Sequence, residues 1–152
     1  MCIRDRPILG AAQSALADFS QQMSAKLKNN VLRSGQPQSD VTKVLGEVSL
    51  KLETAELLMR TVLHDVMDKR KKATPEERAL WLSRQSYAVH TCKDAALQIA
   101  DASGASGGFL DNPVQRAVRD VSIASNHVVF SKDRHYGEIG RSMLDHSETP
   151  EK

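Results

Sequence analysis

The sequence predicts an all-α fold: an up-down four-helix bundle with a short extra helix at its C-terminal end. Apolar residues recur at steps of three and four over long windows. Aromatic residues make up only 4% of the 152 residues, so Leu, Val, Ala and Met carry the apolar content, which favours helices over sheet. No alternating stretch of useful length appears, so little or no strand is expected. The chain is long enough for one domain with a proper core.

The first helix is expected from Pro7 to Lys28, with Ile8, Leu9, Ala12, Leu16, Phe19, Met23 and Leu27 on one face. The segment from Asn29 to Gln38 holds Ser34-Gly35-Gln36-Pro37 and reads as a loop. Ser39 or Asp40 is the expected cap of a second helix ending at about Met67. Its stripe is Val41, Val44, Leu45, Val48, Leu52, Ala55, Leu58, Val62, Leu63 and Val66, spanning about 40 Å at 1.5 Å per residue. Lys43, Glu47, Lys51, Glu53 and Arg60 form its solvated face. Thr74-Pro75-Glu76-Glu77 announces a third helix: a Thr cap, proline at the first position and glutamate at the third. That helix should reach about Ala102. Its stripe of Trp81, Tyr87, Ala88, Thr91, Ala95, Leu97, Ile99 and Ala100 is untidy, as for a helix contacted on two sides.

Net charge is +2, which gives no electrostatic reason to invoke nucleic acid or a membrane surface. The basic run Lys69-Arg70-Lys71-Lys72 reads as a solvated helix end, favoured there by the helix dipole. Cys2 and Cys92 form no metal or redox motif, and a reducing cytoplasmic setting is the default. Cys92 is expected to be a buried small apolar residue. No apolar run reaches the roughly 18 residues of a membrane span. Met1 to Arg6 lacks the apolar centre of a signal peptide and reads as a non-native scar. The domain is therefore expected over 7–145, with 146–152 a disordered tail.

The stretch from Gly104 to Arg141 is the richest in chemistry. A loop of small residues, Gly104-Ala105-Ser106-Gly107-Gly108, follows the third helix, with Gly104 suited to a left-handed cap. Such a loop has backbone N–H groups that can face an anion. Asn112-Pro113 then reads as an N-cap and a first-turn proline. The helix that follows carries Arg116, Arg119, Asp120, Asn126 and His127. At offsets of four and seven, Arg116, Asp120 and His127 should share one face of a half-buried helix, at a cost in desolvation. The bland alternative is an internal salt-bridge set plus a histidine satisfied by a neighbour. This helix should bend or break near Ser131 to Asp133, followed by a short fifth helix from about Asp133 to Leu144. His64 and His90 lack a Glu-x-x-His partner, which removes a di-iron bundle site. His135 and His146 fall in what reads as a mobile end region.

The order small-residue loop, Asn112-Pro113-Val114-Gln115-Arg116, Arg119-Asp120, His127 and Gly140-Arg141 resembles the C-terminal helical domain of the acyl-CoA dehydrogenase superfamily. Within it, the pattern is most similar to the two-component, flavin-dependent monooxygenases. Pro7 to Leu16 also resembles the start of that domain. The resemblance implies a C-terminal fragment whose N-terminal helical and middle β-domains are absent. It also implies a homotetramer, a separate flavin reductase delivering reduced FMN or FAD, and a peroxyflavin that oxidises a small organic substrate. His127 would be the catalytic residue, facing flavin and substrate. Gly104, Ser106, Gly107, Gly108 and Arg116 would contact the cofactor, supported by Arg119, Asp120 and Asn126. Lys26 and Lys28 are further candidates for the flavin phosphates.

Many acyl-CoA dehydrogenases carry a catalytic glutamate eight residues past the aspartate of the Arg-Asp pair. Val128 stands there in this chain. A valine cannot abstract a proton, which argues against α,β-desaturation by that route. An FAD-dependent dehydrogenase with a relocated base and a non-catalytic helical scaffold remain the two alternatives.

Overall fold

The computed structural model describes residues 5–28, 38–69 and 72–147. Five α-helices and two short 3₁₀ turns account for nearly all of them, and no strand occurs among the described residues. The helices are α1 (Asp5–Lys28), α2 (Gln38–Lys69), α3 (Pro75–Ser103), α4 (Pro113–Ser125) and α5 (Lys132–Ser147). The turns are Gly104–Gly108 and Val128–Phe130. The expected all-α bundle is therefore present. No described helix is long and apolar enough to cross a membrane.

Helix α1 starts at Asp5, two residues ahead of the expected Pro7. The Asp5 carboxylate is buried and accepts a 2.6 Å hydrogen bond from Gln85 Nε2, which anchors the first turn to α3. Ile8, Leu9, Ala12, Phe19 and Met23 bury as the periodicity requires. Helix α2 begins at Gln38, so Ser39 and Asp40 lie inside its first turn rather than capping it. Asp40 still meets the positive end of the helix dipole there. The expected loop over 29–37 and the residues Arg70 and Lys71 lie outside the described residues.

Polar contacts between α2 and α3 run in opposite chain directions. Lys69 pairs with Glu77, Asp65 with Arg84, and Lys51 with Gln98. The two helices are thus antiparallel, as their short connection requires. The start of α3 is a complete capping box. Glu77 N–H donates to Thr74 Oγ1 at 3.2 Å, and Thr74 N–H donates to Glu77 Oε2 at 3.0 Å.

Helix α3 is the hub, in contact with α1, α2, α4 and α5. That explains its untidy stripe. The buried set is Trp81, Gln85, Ala88, Cys92, Ala95 and Ile99 on one side, widened by Ser83, Ser86, Val89 and Ala96. Tyr87 and Leu97, expected inside, are exposed because they fall between the contacted faces. The main core joins α1, α2, α3 and α4 with Phe130 of the second turn. A smaller cluster of Val62, Ala73 and Trp81 closes the α2–α3 corner.

The end of the bundle departs from expectation. The fourth helix is only 13 residues long and stops at Ser125, before His127. Asn126 adopts φ −80° and ψ 0°, and its N–H turns back onto the Ala124 and Ile123 carbonyls. The fifth helix is longer than expected and extends to Ser147.

Candidate functional site

Gly104 ends α3 at φ +63°, a region that favours glycine, with ψ −153° rather than the left-handed helical value. Its N–H is spent on the Asp101 carbonyl. The residues that follow wind into the Gly104–Gly108 turn instead of an open loop. Ser106 Oγ donates to the Ser103 carbonyl at 2.8 Å. Gly107 is buried, and a Cβ there would lie 2.8 Å from Ser103 Cβ and 3.0 Å from the Ala100 carbonyl oxygen. Its lack of a side chain is a packing requirement. Gly104 and Gly108 are exposed.

Asn112 caps α4 as expected, its Oδ1 accepting from Val114 N–H at 3.0 Å. The buried face of α4 is Val114, Ala117, Val121 and Ser125. Arg116, Arg119 and Asp120 lie on the opposite face. Arg116 and Asp120 side chains are 76% and 54% exposed and 3.7 Å apart. Arg119 Nε lies 4.0 Å from Asp120 Oδ1. This is a surface set, not an internal one, so the expected desolvation cost does not arise. Ile123, on the same outward face by its spacing, is exposed too. Phe109 and Leu110 leave further uncovered apolar surface just before the helix.

His127 is not on α4, which corrects the expectation that it shares a helix face with Arg116 and Asp120. It is half-buried and caps the Val128–Phe130 turn, its Nδ1 accepting from Val129 N–H at 3.2 Å. A backbone N–H can only donate, so the neutral ring carries its proton on Nε2. The ring meets Phe130 edge-on, with centroids 6.2 Å apart. Val128, where many acyl-CoA dehydrogenases are expected to carry a glutamate, is 69% exposed.

Side chains of α3 and α5 hold this turn, none of them among the expected site residues. Ser86 Oγ donates to the Phe130 carbonyl at 2.9 Å, and His90 Nε2 meets the same oxygen at 2.9 Å. His135 Nε2 meets the Val129 carbonyl at 2.9 Å, while Ser83 Oγ donates to the His135 carbonyl at 2.9 Å. Ser83, Ser86 and His90 lie three and four apart on α3, a polar stripe that the spacing could have revealed. His135, expected in a mobile end, is only 2% exposed. Burial pushes the His90 imidazole below its usual pKa, opposed by its bond to Phe130. Burial likewise pushes the Tyr136 phenol up. A groove of about 430 Å³ lies between α3 and α5, lined by Pro75, Leu80, Glu138 and Ile139 among others, and another of about 300 Å³ lies where α2, α3 and α5 meet. Neither is lined by His127. Among the described residues no group of acidic, histidine or cysteine side chains could hold a metal ion.

The family model for the acyl-CoA dehydrogenase C-terminal domain matches residues 5–132. The chain belongs to this family. As a member, this acyl-CoA dehydrogenase C-terminal domain is 26% identical over 147 residues to the oxygenase component of an FADH2-dependent resorcinol hydroxylase from Rhizobium sp. (strain MTP-10005). That match covers 90% of this chain and 36% of the relative. The HsaA monooxygenase of M. tuberculosis has the same fold, with a TM-score of 0.81 at 20% identity over 93% of this chain and 38% of that one. XiaF from Streptomyces sp., solved with FADH2 and glycerol, gives 0.79 at 22% identity over 94% and 37%. The domain thus spans between 36% and 38% of the length of these relatives.

Proposed function

We propose that this chain is the C-terminal part of a reduced-flavin-dependent monooxygenase, the oxygenase component of a two-component system acting on a small organic substrate. The name of the Rhizobium relative favours a phenol as substrate and reduced FAD over reduced FMN, delivered by a separate flavin reductase. A cytoplasmic homotetramer completes the reading.

The observation that carries it is the outward face of α4 leading to His127. Arg116 and Arg119 present charged guanidinium forks to an open surface. Ile123 and Val128 leave apolar surface beside them in sequence. The Gln115 Oε1 is a buried acceptor without a hydrogen-bond partner. These features fit an anionic, planar cofactor with polar ring edges. When bound, reduced flavin supplies the electrons for oxygen activation.

Arg116 is suited to bind a phosphate oxygen bidentately, with Arg119 and Asp120 fixing its approach. Gly104 and Gly108 keep the neighbouring surface low, while Ser106 and Gly107 hold the turn's shape from inside. Asn126 ends α4 so that the chain turns at His127. With Nδ1 engaged, His127 offers Nε2–H as a donor to an oxygen atom brought against it. The ring is thereby poised to give a proton rather than remove one. The exposed Val128 offers no base for desaturation. The pocket is completed by other parts of the full-length protein.

The test uses the full-length protein with reduced FAD supplied by a reductase, and a panel of phenols under ¹⁸O₂. Transfer of one labelled oxygen atom into product is the expected result. Bleaching of bound flavin by an acyl-CoA without oxygen, and no labelled product, would overturn the proposal in favour of a dehydrogenase.

A further inference from the structure

Val129 is held at both of its backbone polar groups by imidazoles. Its carbonyl oxygen lies 2.9 Å from His135 Nε2, and its N–H donates to His127 Nδ1 at 3.2 Å. A carbonyl oxygen only accepts, so His135 carries a proton on Nε2. The adjoining Phe130 carbonyl is gripped by Ser86 Oγ and His90 Nε2, each at 2.9 Å. Here too the imidazole must donate. Two carbonyls therefore take three side-chain donors within one three-residue turn.

That arrangement is more than helix packing needs. Val129 and Phe130 precede α5, and water would satisfy their carbonyls if they were exposed. Instead α3 and α5 supply the donors from side chains that cost desolvation to bury. His135 is 2% exposed, and its Nδ1 has no hydrogen-bond partner, lying 3.7 Å from Glu138 Oε2. A leucine would fill that space without an unsatisfied atom. What the leucine could not do is fix the Val129 peptide.

We propose that His135 is a positioning residue for His127, acting through Val129. By holding the Val129 carbonyl it fixes the Val129–Phe130 peptide, whose N–H donates to the His127 carbonyl at 2.8 Å. The turn closed in this way presents the Val129 N–H to His127 Nδ1 and so selects the ring form with its proton on Nε2. His90 and Ser86 do the same for Phe130, whose ring edge meets His127. This rests on the reading of His127 as the residue that acts in oxygen chemistry. The geometry it describes is independent of flavin.

The test is NMR of the ¹⁵N-labelled chain. In the unmodified chain a coupling across the hydrogen bond between Val129 N and His127 Nδ1 is expected, and its absence would overturn the proposal. In His135→Leu the ratio of the Nε2–H to the Nδ1–H form of His127 should fall about five-fold, the effect of losing one neutral hydrogen bond. His135→Gln, which keeps a side-chain N–H donor, should restore most of that ratio. A leucine variant that melts earlier yet leaves the His127 signals unmoved reduces His135 to a packing role and sinks the proposal. Should the leucine variant fail to fold, the unmodified coupling and the glutamine variant still decide. In the full-length enzyme the leucine variant should release more peroxide per flavin oxidised. If the ring form shifts there without any change in coupling, the fault lies with the role given to His127, not with the positioning.

Discussion

Asn112 joins both sides of the α3–α4 connection: its Oδ1 caps Val114 N–H at 3.0 Å, and its Nδ2 donates to the Ser106 carbonyl at 2.7 Å. One side chain thus satisfies an orphan helix donor and ties down the turn before it. Gln22 of α1 reaches the same Oδ1 at 3.5 Å. Asn112→Ala should cost about 0.5–2 kcal/mol, the range for losing a cap. Asn112→Asp keeps the cap but replaces the Nδ2 donor with an acceptor facing the Ser106 carbonyl. It should fall between the two in urea unfolding, and an aspartate variant as stable as the parent would show that the Ser106 tie contributes nothing.

Gly107 and Gly108 are neighbours with opposite tolerances. A Cβ at Gly107 would press on Ser103 and on the Ala100 carbonyl, backbone that cannot easily give way, whereas a Cβ at Gly108 meets nothing within 4 Å. Gly107→Ala should cost about 1–3 kcal/mol through overpacking. Gly108→Ala should be neutral or slightly stabilising, because it restricts the unfolded chain. Thermal melts of the two variants would separate steric demand from any general need for glycine in this turn.

The Lys69–Glu77 pair joins the end of α2 to the start of α3, and its influence should show in the pH dependence of stability. The Glu77 carboxyl is held below the usual glutamate range, first by Lys69 and then by the Thr74 N–H. Lys69 is raised by the same partner. A depressed carboxyl stabilises above its unfolded pKa and loses that contribution as pH falls through the folded one. The raised lysine stabilises below its unfolded pKa and loses its share only as pH rises through its folded value. Glu77→Gln should therefore lower stability at neutral pH and flatten the acid side of the profile, the two chains converging once the pH has fallen below the folded pKa of Glu77. An unaltered acid side would show that solvent screens the pair completely.

Cys92 sits in the core with its thiol pushed up to about 12 by burial. At neutral pH the thiolate is scarce and the sulfur is out of reach. Iodoacetamide should leave Cys92 unmodified in the folded chain and alkylate it at the rate of unfolding. Peptide mass spectrometry reads this directly, and rapid labelling under native conditions would contradict the packing.

Periodicity was enough to read α1 and α2, which each bury one long stripe, while Thr74 with Glu77 and Asn112 carry the cap chemistry that marks the starts of α3 and α4. The end of α4 was not legible. Ser125-Asn126-His127 carries no glycine or proline, and only the turn back of the Asn126 N–H stops the helix. The helix expected to run to about Ser131 ends at Ser125, which takes His127 off the face of Arg116. The buried polar seam was missed for a different reason. Ser83, Ser86, His90 and His135 look like surface residues in sequence, and their value depends on carbonyls that only the broken helix exposes. Burial of His135 is a tertiary outcome of α5 folding back onto α3.

His127 itself offers the sharpest functional test. Its Nδ1 is engaged by Val129 N–H, so its contribution must come through Nε2. Loss of one donor aimed at developing charge costs about a hundred-fold in rate in sites of this kind. In the full-length enzyme, His127→Ala should lower product formation by about that factor while flavin oxidation continues, with the missing turnover appearing as hydrogen peroxide. His127→Asn can place an amide near the lost Nδ1 acceptor but does not reach to Nε2, so it should behave like alanine. His127→Gln extends a donor further and should recover part of the coupling. Arg116→Ala provides the contrast: it should weaken reduced-flavin binding several-fold and leave the yield of product per bound flavin unchanged. Oxygen consumption measured against product and peroxide separates these patterns. Full coupling in His127→Ala would confine this histidine to capping the Val128–Phe130 turn.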